Sequence, residues 1–250
     1  MKKLLLLLIS LTFIGCSSIN VGDTFSSLEL DDAMSSEDET QRILALGLTH
    51  EENLKEASKL NTPHLISVVS LQLNNARDKR IQNEIDLIES EKFADQVKVS
   101  GSRYIGSEIS ESIKTGFLET DFDLLNYFLE GVKDSNSGNI QHNLHITVSH
   151  NSKSKRDYFS AHICNQWGRC DATKEDGSNN KLELIPISSN ASNCNSFKCD
   201  FSEIIEIPLS DDFLRDSSDK GISLSLISKK KTHKIKVSKP YLMGYLAKAK

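Results

Sequence analysis

A change of hydrophobic period constrains this chain more than any other feature. After Asn139, Leu144, Ile146 and Val148 alternate with His145, Thr147 and Ser149, the pattern of a strand with one buried face. Tyr158 to Ile163, Leu182 to Ile187, Ile204 to Leu209, Ile222 to Ile227 and Lys234 to Val237 continue the series. Short strands separated by polar turns predict an antiparallel sheet or sandwich. Ser210 followed by Asp211 and Asp212 predicts one helical turn between strands, because an N-cap hydroxyl and acidic residues both suit a helix start. Pro240 to Lys248 reads as a closing helix with Pro near its first position.

Before residue 139 the spacing is closer to 3.6. Ile43, Leu44, Leu46 and Leu48 lead to Leu54, Ala57 and Leu60, and Thr62-Pro63 is expected to end that segment. Leu65 to Leu73 fits a buried strand or a short helix. Ala76 to Ala94 reads as a helix with Ile81, Ile85 and Ile88 on one face, and Val97 to Val99 as a short strand. Ser107 to Lys114 suggests another helix, and Leu118, Phe122, Leu125, Leu129 and Val132 follow a helical repeat. The turn cluster from Asp134 to Gly138 then marks a boundary. The expected class is α+β: a mostly helical domain over 41–138, then an antiparallel β-rich, sandwich-like domain over 139–250 with a closing C-terminal helix.

The first forty residues read differently. Met1-Lys2-Lys3 is a positive n-region, and Leu4 to Ile14 is an apolar run too short to span a bilayer. Phe13-Ile14-Gly15-Cys16 resembles the lipobox of bacterial lipoproteins. The resemblance implies that residues 1–15 are a signal peptide cut before Cys16, that the Cys16 thiol carries a diacylglycerol and that the new amine is acylated. Several acyl chains give a firm anchor, since each buried CH₂ contributes about 0.8 kcal/mol. With Ser17 following the cysteine, the resemblance further implies outer-membrane sorting, with the domain expected to face the periplasm. Residues 16–40 have no Lys or Arg but many acidic and Ser residues, the composition of a flexible tether. Loss of Lys2 and Lys3 with the signal takes the net charge from -5 to -7.

That mild acidity argues against nucleic acid as a partner. Export places the chain where disulfides persist. With Cys16 assigned to lipid, Cys164, Cys170, Cys194 and Cys199 remain, and four cysteines allow three pairings. Nearest-neighbour pairing, Cys164 with Cys170 and Cys194 with Cys199, is the leading choice, with a cross-loop pairing as its rival. Spacings of five and four intervening residues suit structural zinc poorly, and no C-x-x-C redox motif is present. A second resemblance covers roughly the last hundred residues. Tyr158-Phe-Ser-Ala161, Cys194 and Cys199, Ile204 to Leu209, Phe213-Leu214, Gly221 to Ile227 and Tyr241 to Leu246 are similar to the C-terminal half of proteobacterial lipoproteins without an assigned activity. It implies pairing of the last two cysteines and brings no chemistry.

No catalytic set is recognisable. His50-Glu51-Glu52-Asn53-Leu54 begins like a helical zinc-protease motif, but Leu54 stands where the second His ligand belongs. His142 and His145 should point to opposite faces of a strand and so cannot readily share a metal. No metal, cofactor or catalytic residue is therefore assigned.

Two features suit contact instead. Trp167, the single Trp, sits with Arg169 in the Cys164–Cys170 segment. A closed loop bearing an aromatic is pre-organised for binding, unless Trp167 folds back onto the sheet. Residues 220–250 hold nine Lys and no acid, among them Lys229, Lys230, Lys231, Lys234 and Lys236. They suit anionic lipid or lipopolysaccharide phosphates, or else protect a sheet edge. The expectation is a membrane-anchored, non-catalytic binding or accessory module that meets an envelope protein or an anionic surface. The alternatives are a periplasmic envelope hydrolase and a secretion or assembly accessory factor.

Overall fold

The computed structural model describes residues 25–114, 122–165, 167–170 and 180–250. The signal segment and Cys16 lie outside them. The chain divides into two compact units, residues 1–81 and 82–250. Its organisation is mixed: helices come first, two antiparallel sheets follow and a helix closes the chain.

The first unit contains α1 (Phe25–Leu44), α2 (His50–Ala57) and the start of α3 (Pro63–Gln96). Residues 25–40 are therefore helical, where composition predicted tether. Ser36, Thr40 and Ile43 are buried at helical spacing, and Thr40 Oγ1 donates to Ser36 O at 2.8 Å. A face of small polar residues can pack even though few apolar residues announce it. Ile43, Ala57, Val69 and Leu73 form this unit's core. Thr62-Pro63, read as a stop, is a start: Thr62 Oγ1 accepts from Leu65 N at 3.2 Å, and Pro suits the first helical position. Leu65 to Leu73 and Ala76 to Ala94 consequently belong to one 34-residue helix.

The second unit holds both sheets. β1 (Lys98–Ser100), β2 (Arg103–Ile105), β3 (Ile109–Lys114), β4 (Phe122–Lys133), β5 (Ile140–Ser152), β8 (Ile185–Ser192) and β9 (Cys199–Leu209) form the larger one. Its order is β1-β2-β4-β5-β9-β8, with β3 also on β4. The smaller sheet has the order β11-β10-β6-β7, from β6 (Tyr158–Ile163), β7 (Lys181–Leu182), β10 (Ile222–Ser228) and β11 (Thr232–Val237). The helical turn α4 (Asp211–Asp216) lies between β9 and β10, and α5 (Lys239–Lys248) closes the chain.

Two expected helices are strands. Ile109–Lys114 forms β3 and Phe122–Lys133 forms β4, while Leu118 lies outside the described residues. The change from helix to strand thus falls at Gln96–Lys98, not at residue 138. The inward positions of β4 are Asp123, Leu125, Tyr127 and Leu129, a period of two disguised by a carboxylate and a phenol. Long pairing with β5, from Leu124–Ser149 to Lys133–Ile140, overrides the helical spacing of the leucines.

One core cluster joins Leu125, Leu144, Ile146 and Ile207 of the larger sheet to Leu224, Leu226 and Ile235 of the smaller sheet and to Tyr241, Leu242 and Tyr245 of α5. Tyr241 also repairs an irregularity. Between β2 and β3 the chain leaves β4, so Leu129 N donates instead to Tyr241 Oη at 3.0 Å. That hydroxyl donates onward to Ser107 O at 3.0 Å. Gly106 permits the approach, because a Cβ there would stand 2.5 Å from Tyr241 Oη.

Candidate functional site: two disulfide-closed aromatic loops

Cys164 is bonded to Cys170 and Cys194 to Cys199. The two loops share a grammar. Cys164-Asn-Gln-Trp-Gly-Arg-Cys170 and Cys194-Asn-Ser-Phe-Lys-Cys199 both read Cys, Asn, a polar residue, an aromatic, a cation and Cys. The longer loop has one extra residue, Gly168, whose φ of 71° lies in the left-handed region that glycine adopts without strain.

The hydrogen bonds repeat as well. Asn165 Oδ1 accepts from Trp167 N and Arg169 N, each at 3.0 Å. Asn195 Oδ1 accepts from Phe197 N at 2.8 Å and Lys198 N at 2.9 Å. The Asn165 N–H reaches Arg169 O at 2.8 Å, and the Asn195 N–H reaches Lys198 O at 2.9 Å. Each asparagine thus organises its turn from inside the ring. Both aromatics project outward: Trp167 is 78% exposed and Phe197 is 72% exposed. Trp167 does not fold back. Sequence reasoning missed Phe197, although the shared Cys-Asn-x-aromatic spelling was there to find it.

The Trp167 loop is tied to the smaller sheet. Cys164 N donates to Ser223 O at 2.8 Å, and Lys234 Nζ donates to Gly168 O at 3.2 Å. Lys234 and Lys236 are exposed on β11, while His233, Ile235 and Val237 are buried. The structure therefore brings Trp167, Arg169 and Lys234 together, with Lys236 on the same side of β11. Lys229, Lys230 and Lys231 instead occupy the hairpin turn between β10 and β11, where Lys230 Nζ contacts Ser154 Oγ. The Phe197 loop joins β8 to β9. It borders a shallow groove of about 240 Å³ lined by Lys153, Asn195, Ser196, Phe197, Lys198 and Cys199.

The buried carboxylates Asp123 and Glu203 are committed internally. Asp123, 2% exposed, receives Arg156 Nη2 on both oxygens at 2.8 Å, and His233 Nε2 stands 3.2 Å away. Burial pushes the Asp123 carboxyl up, but His233 and Arg156 together outweigh it and hold it below the ordinary range. Glu203 behaves alike. Burial opposes ionisation, while His150 Nε2 at 2.9 Å and the N–H groups of Arg156 at 2.7 Å and Asp157 at 3.2 Å hold it ionised at lower pH than usual.

Ser152, His150 and Glu203 form a chain that superficially suits nucleophilic catalysis. Ser152 Oγ lies 3.1 Å from His150 Nδ1. Its proton, however, goes to Ser154 O at 2.6 Å. A serine held as a donor to a carbonyl is not one passing its proton to a base.

His142 and His145 lie on opposite sides of β5. His142 is buried between Tyr245 Oη at 2.8 Å and Asp211 Oδ1 at 3.1 Å, and burial pushes its protonation down. His145 meets Glu130 at 2.8 Å and Glu206 at 3.3 Å. Glu52 of the protease-like segment completes a capping box with Thr49. Among the described residues no cluster of His, Cys, Asp and Glu is arranged to hold a metal ion.

No protein-family model matches the chain, and no curated protein is significantly similar to it.

Proposed function

We propose that this chain is a lipoprotein anchored through Cys16 in the outer membrane, facing the periplasm, whose β-rich unit is a non-catalytic binding module. The two sheets then act as a sandwich-like scaffold that holds short loops rigid. The contact partner is an anionic lipid surface, that of phospholipid headgroups. One observation carries this reading: the disulfide-closed loop presents Trp167, 78% exposed, beside Arg169 and is fastened to Lys234 of the basic strand. Indole rings favour the headgroup level of a bilayer. Each nearby Lys or Arg adds about 1 kcal/mol against an anionic surface. Closure by Cys164–Cys170 lowers the ordering cost of contact.

Two measurements test it. Replacing Cys16 by Ser should move the chain out of the membrane fraction; unchanged fractionation refutes the anchor. The chain without residues 1–15, carrying Cys16→Ser, should bind phosphatidylglycerol vesicles with a blue shift of Trp167 emission. Lys234→Glu should weaken that binding severalfold, and high salt should reverse it. Equal binding to uncharged phosphatidylcholine vesicles refutes the lipid contact.

A further inference from the structure

The outer edge of a sheet leaves a row of backbone N–H and C=O groups that another strand can pair with, and folded chains guard such rows with charge, shortness or a bulge. Four edge strands among the described residues are guarded. β1 has three residues and carries Lys98. β7 has two residues and carries Lys181. β3, which pairs with β4, carries Glu111 and Lys114. β11 carries Lys234 and Lys236, both exposed. β8 is the exception. It ends the larger sheet beside β9, and among the described residues no strand lies on its other side. Its eight residues, Ile185-Pro-Ile-Ser-Ser-Asn-Ala-Ser192, include no charged side chain. The start of β8 is spoiled for pairing, because Pro186 has no N–H and the register with β9 shifts between Pro186 and Ser188. From Ser188 to Ser192 the register is regular, running opposite Ile204 to Asp200. Ser189 to Ser192 are exposed and Ser188 is half-buried.

The backbone row selects an extended strand, whose own N–H and C=O groups repeat at the matching spacing. The side chains select which strand. Ser188-Ser-Asn-Ala-Ser192 is centred on Asn190 and is close to palindromic in size and polarity. An antiparallel pair with a second copy, its two-fold axis at Asn190, sets Ser188 opposite Ser192, Ser189 opposite Ala191 and Asn190 opposite its twin. Every opposed pair is small and neutral, so no like charges meet. Serine hydroxyls face each other at the ends, and an asparagine amide offers its twin both a donor and an acceptor. We propose that β8 pairs with β8 of a second copy, antiparallel about Asn190, so that the larger sheet continues from one chain into the other. The contact is isologous and uses up both open edges, so it closes at two chains. The guarded edges stop further growth. The pairing uses neither the Trp167 surface nor the lipid anchor.

The test uses the full lipidated chain in a non-ionic detergent, with micelles in excess over chains. Residues 188–192 of each chain make a contact smaller than a standard interface, so the dimer should have a Kd on the order of 100 μM. Sedimentation equilibrium should therefore show the protein mass doubling with concentration. Asn190→Lys sets two ammonium groups face to face and should weaken the dimer about tenfold. Directly opposed residues hold their Cβ atoms about 4.5–5.5 Å apart, near disulfide reach, so Asn190→Cys should oxidise to a covalent dimer. Ser188→Cys alone should not, since its twin is offset by four residues, roughly 14 Å along the strand. A mixture of Ser188→Cys and Ser192→Cys chains should crosslink. Peptide mass spectrometry reads which thiols are joined, and an unchanged near-ultraviolet circular dichroism spectrum verifies the fold. A single-chain mass at roughly 1 mM, ten times the expected Kd, overturns the proposal. So does a dimer indifferent to Asn190→Lys, or crosslinking of Ser188→Cys alone as fast as that of Asn190→Cys. In intact cells, bridging of Asn190→Cys chains to a different protein in place of a second copy assigns the edge to another partner and overturns it too.

Discussion

Replacing Arg156 by Met should be among the most damaging single changes in the second unit. Arg156 precedes β6, and its guanidinium meets both oxygens of Asp123 on β4 at 2.8 Å. Methionine keeps much of the volume and removes the charge. Asp123 is then left 2% exposed, with the His233 imidazole 3.2 Å away. Breaking a buried pair from one side costs about 3–5 kcal/mol, because the other charge stays desolvated. Urea unfolding followed by the near-ultraviolet signal of Tyr127, Tyr158, Tyr241 and Tyr245 should show this loss at pH 7. Adding Asp123→Asn should recover most of it, to within about 1–2 kcal/mol of the parent, since a neutral pair no longer buries a lone charge.

The pH dependence gives a second check. In the parent the folded pKa of Asp123 lies below its unfolded value. Its stabilising contribution is therefore complete above the unfolded value, near 3.9, and is lost as pH falls through the folded value. Glu203 adds a loss of the same sign. In the Arg156→Met variant one of the groups that lowers the Asp123 carboxyl is gone, so that contribution should shrink and the deficit should narrow as pH falls from 7 toward 4. A cost under about 1 kcal/mol, or a double variant as unstable as the sum of the singles, would refute the reasoning.

Two further outcomes are expected. Tyr241→Phe should destabilise by about 1–3 kcal/mol in the same urea assay, because Leu129 N loses its partner in a buried site. Replacing Cys194 and Cys199 together by Ser should cost about 2 kcal/mol, the chain-entropy value for so short a loop. A melting point lower by about 4–8 °C checks it for a chain of this size.

Much of the second unit was legible as a string. Each of Leu144, Ile146 and Val148 has a polar neighbour on either side, and burial of one strand face leaves that mark wherever the inward residues are apolar. The mark fails in β4, where Asp123 occupies an inward position and is tolerated because Arg156, 33 residues away, and His233 pair with it. It fails in α1 for a related reason: Ser36 and Thr40 pack without being apolar. Spacing made nearest-neighbour disulfide pairing the leading choice over a cross-loop rival, and the two bridges decide for it; the lipid-anchor reading rests on Cys16 and its neighbours alone.

The sequence by itself determined which residues could alternate, which cysteines were near neighbours and where the charge collects. Only the tertiary structure decided what those residues face. Trp167 and Phe197 are exposed because an asparagine inside each ring takes up the turn's N–H groups and leaves the aromatic no inward path. Lys234 joins the Trp167 loop through the Gly168 carbonyl, while Lys229 to Lys231 occupy the hairpin turn between β10 and β11. Such alignments depend on which strands pair, a matter of long-range contacts that local periodicity does not encode.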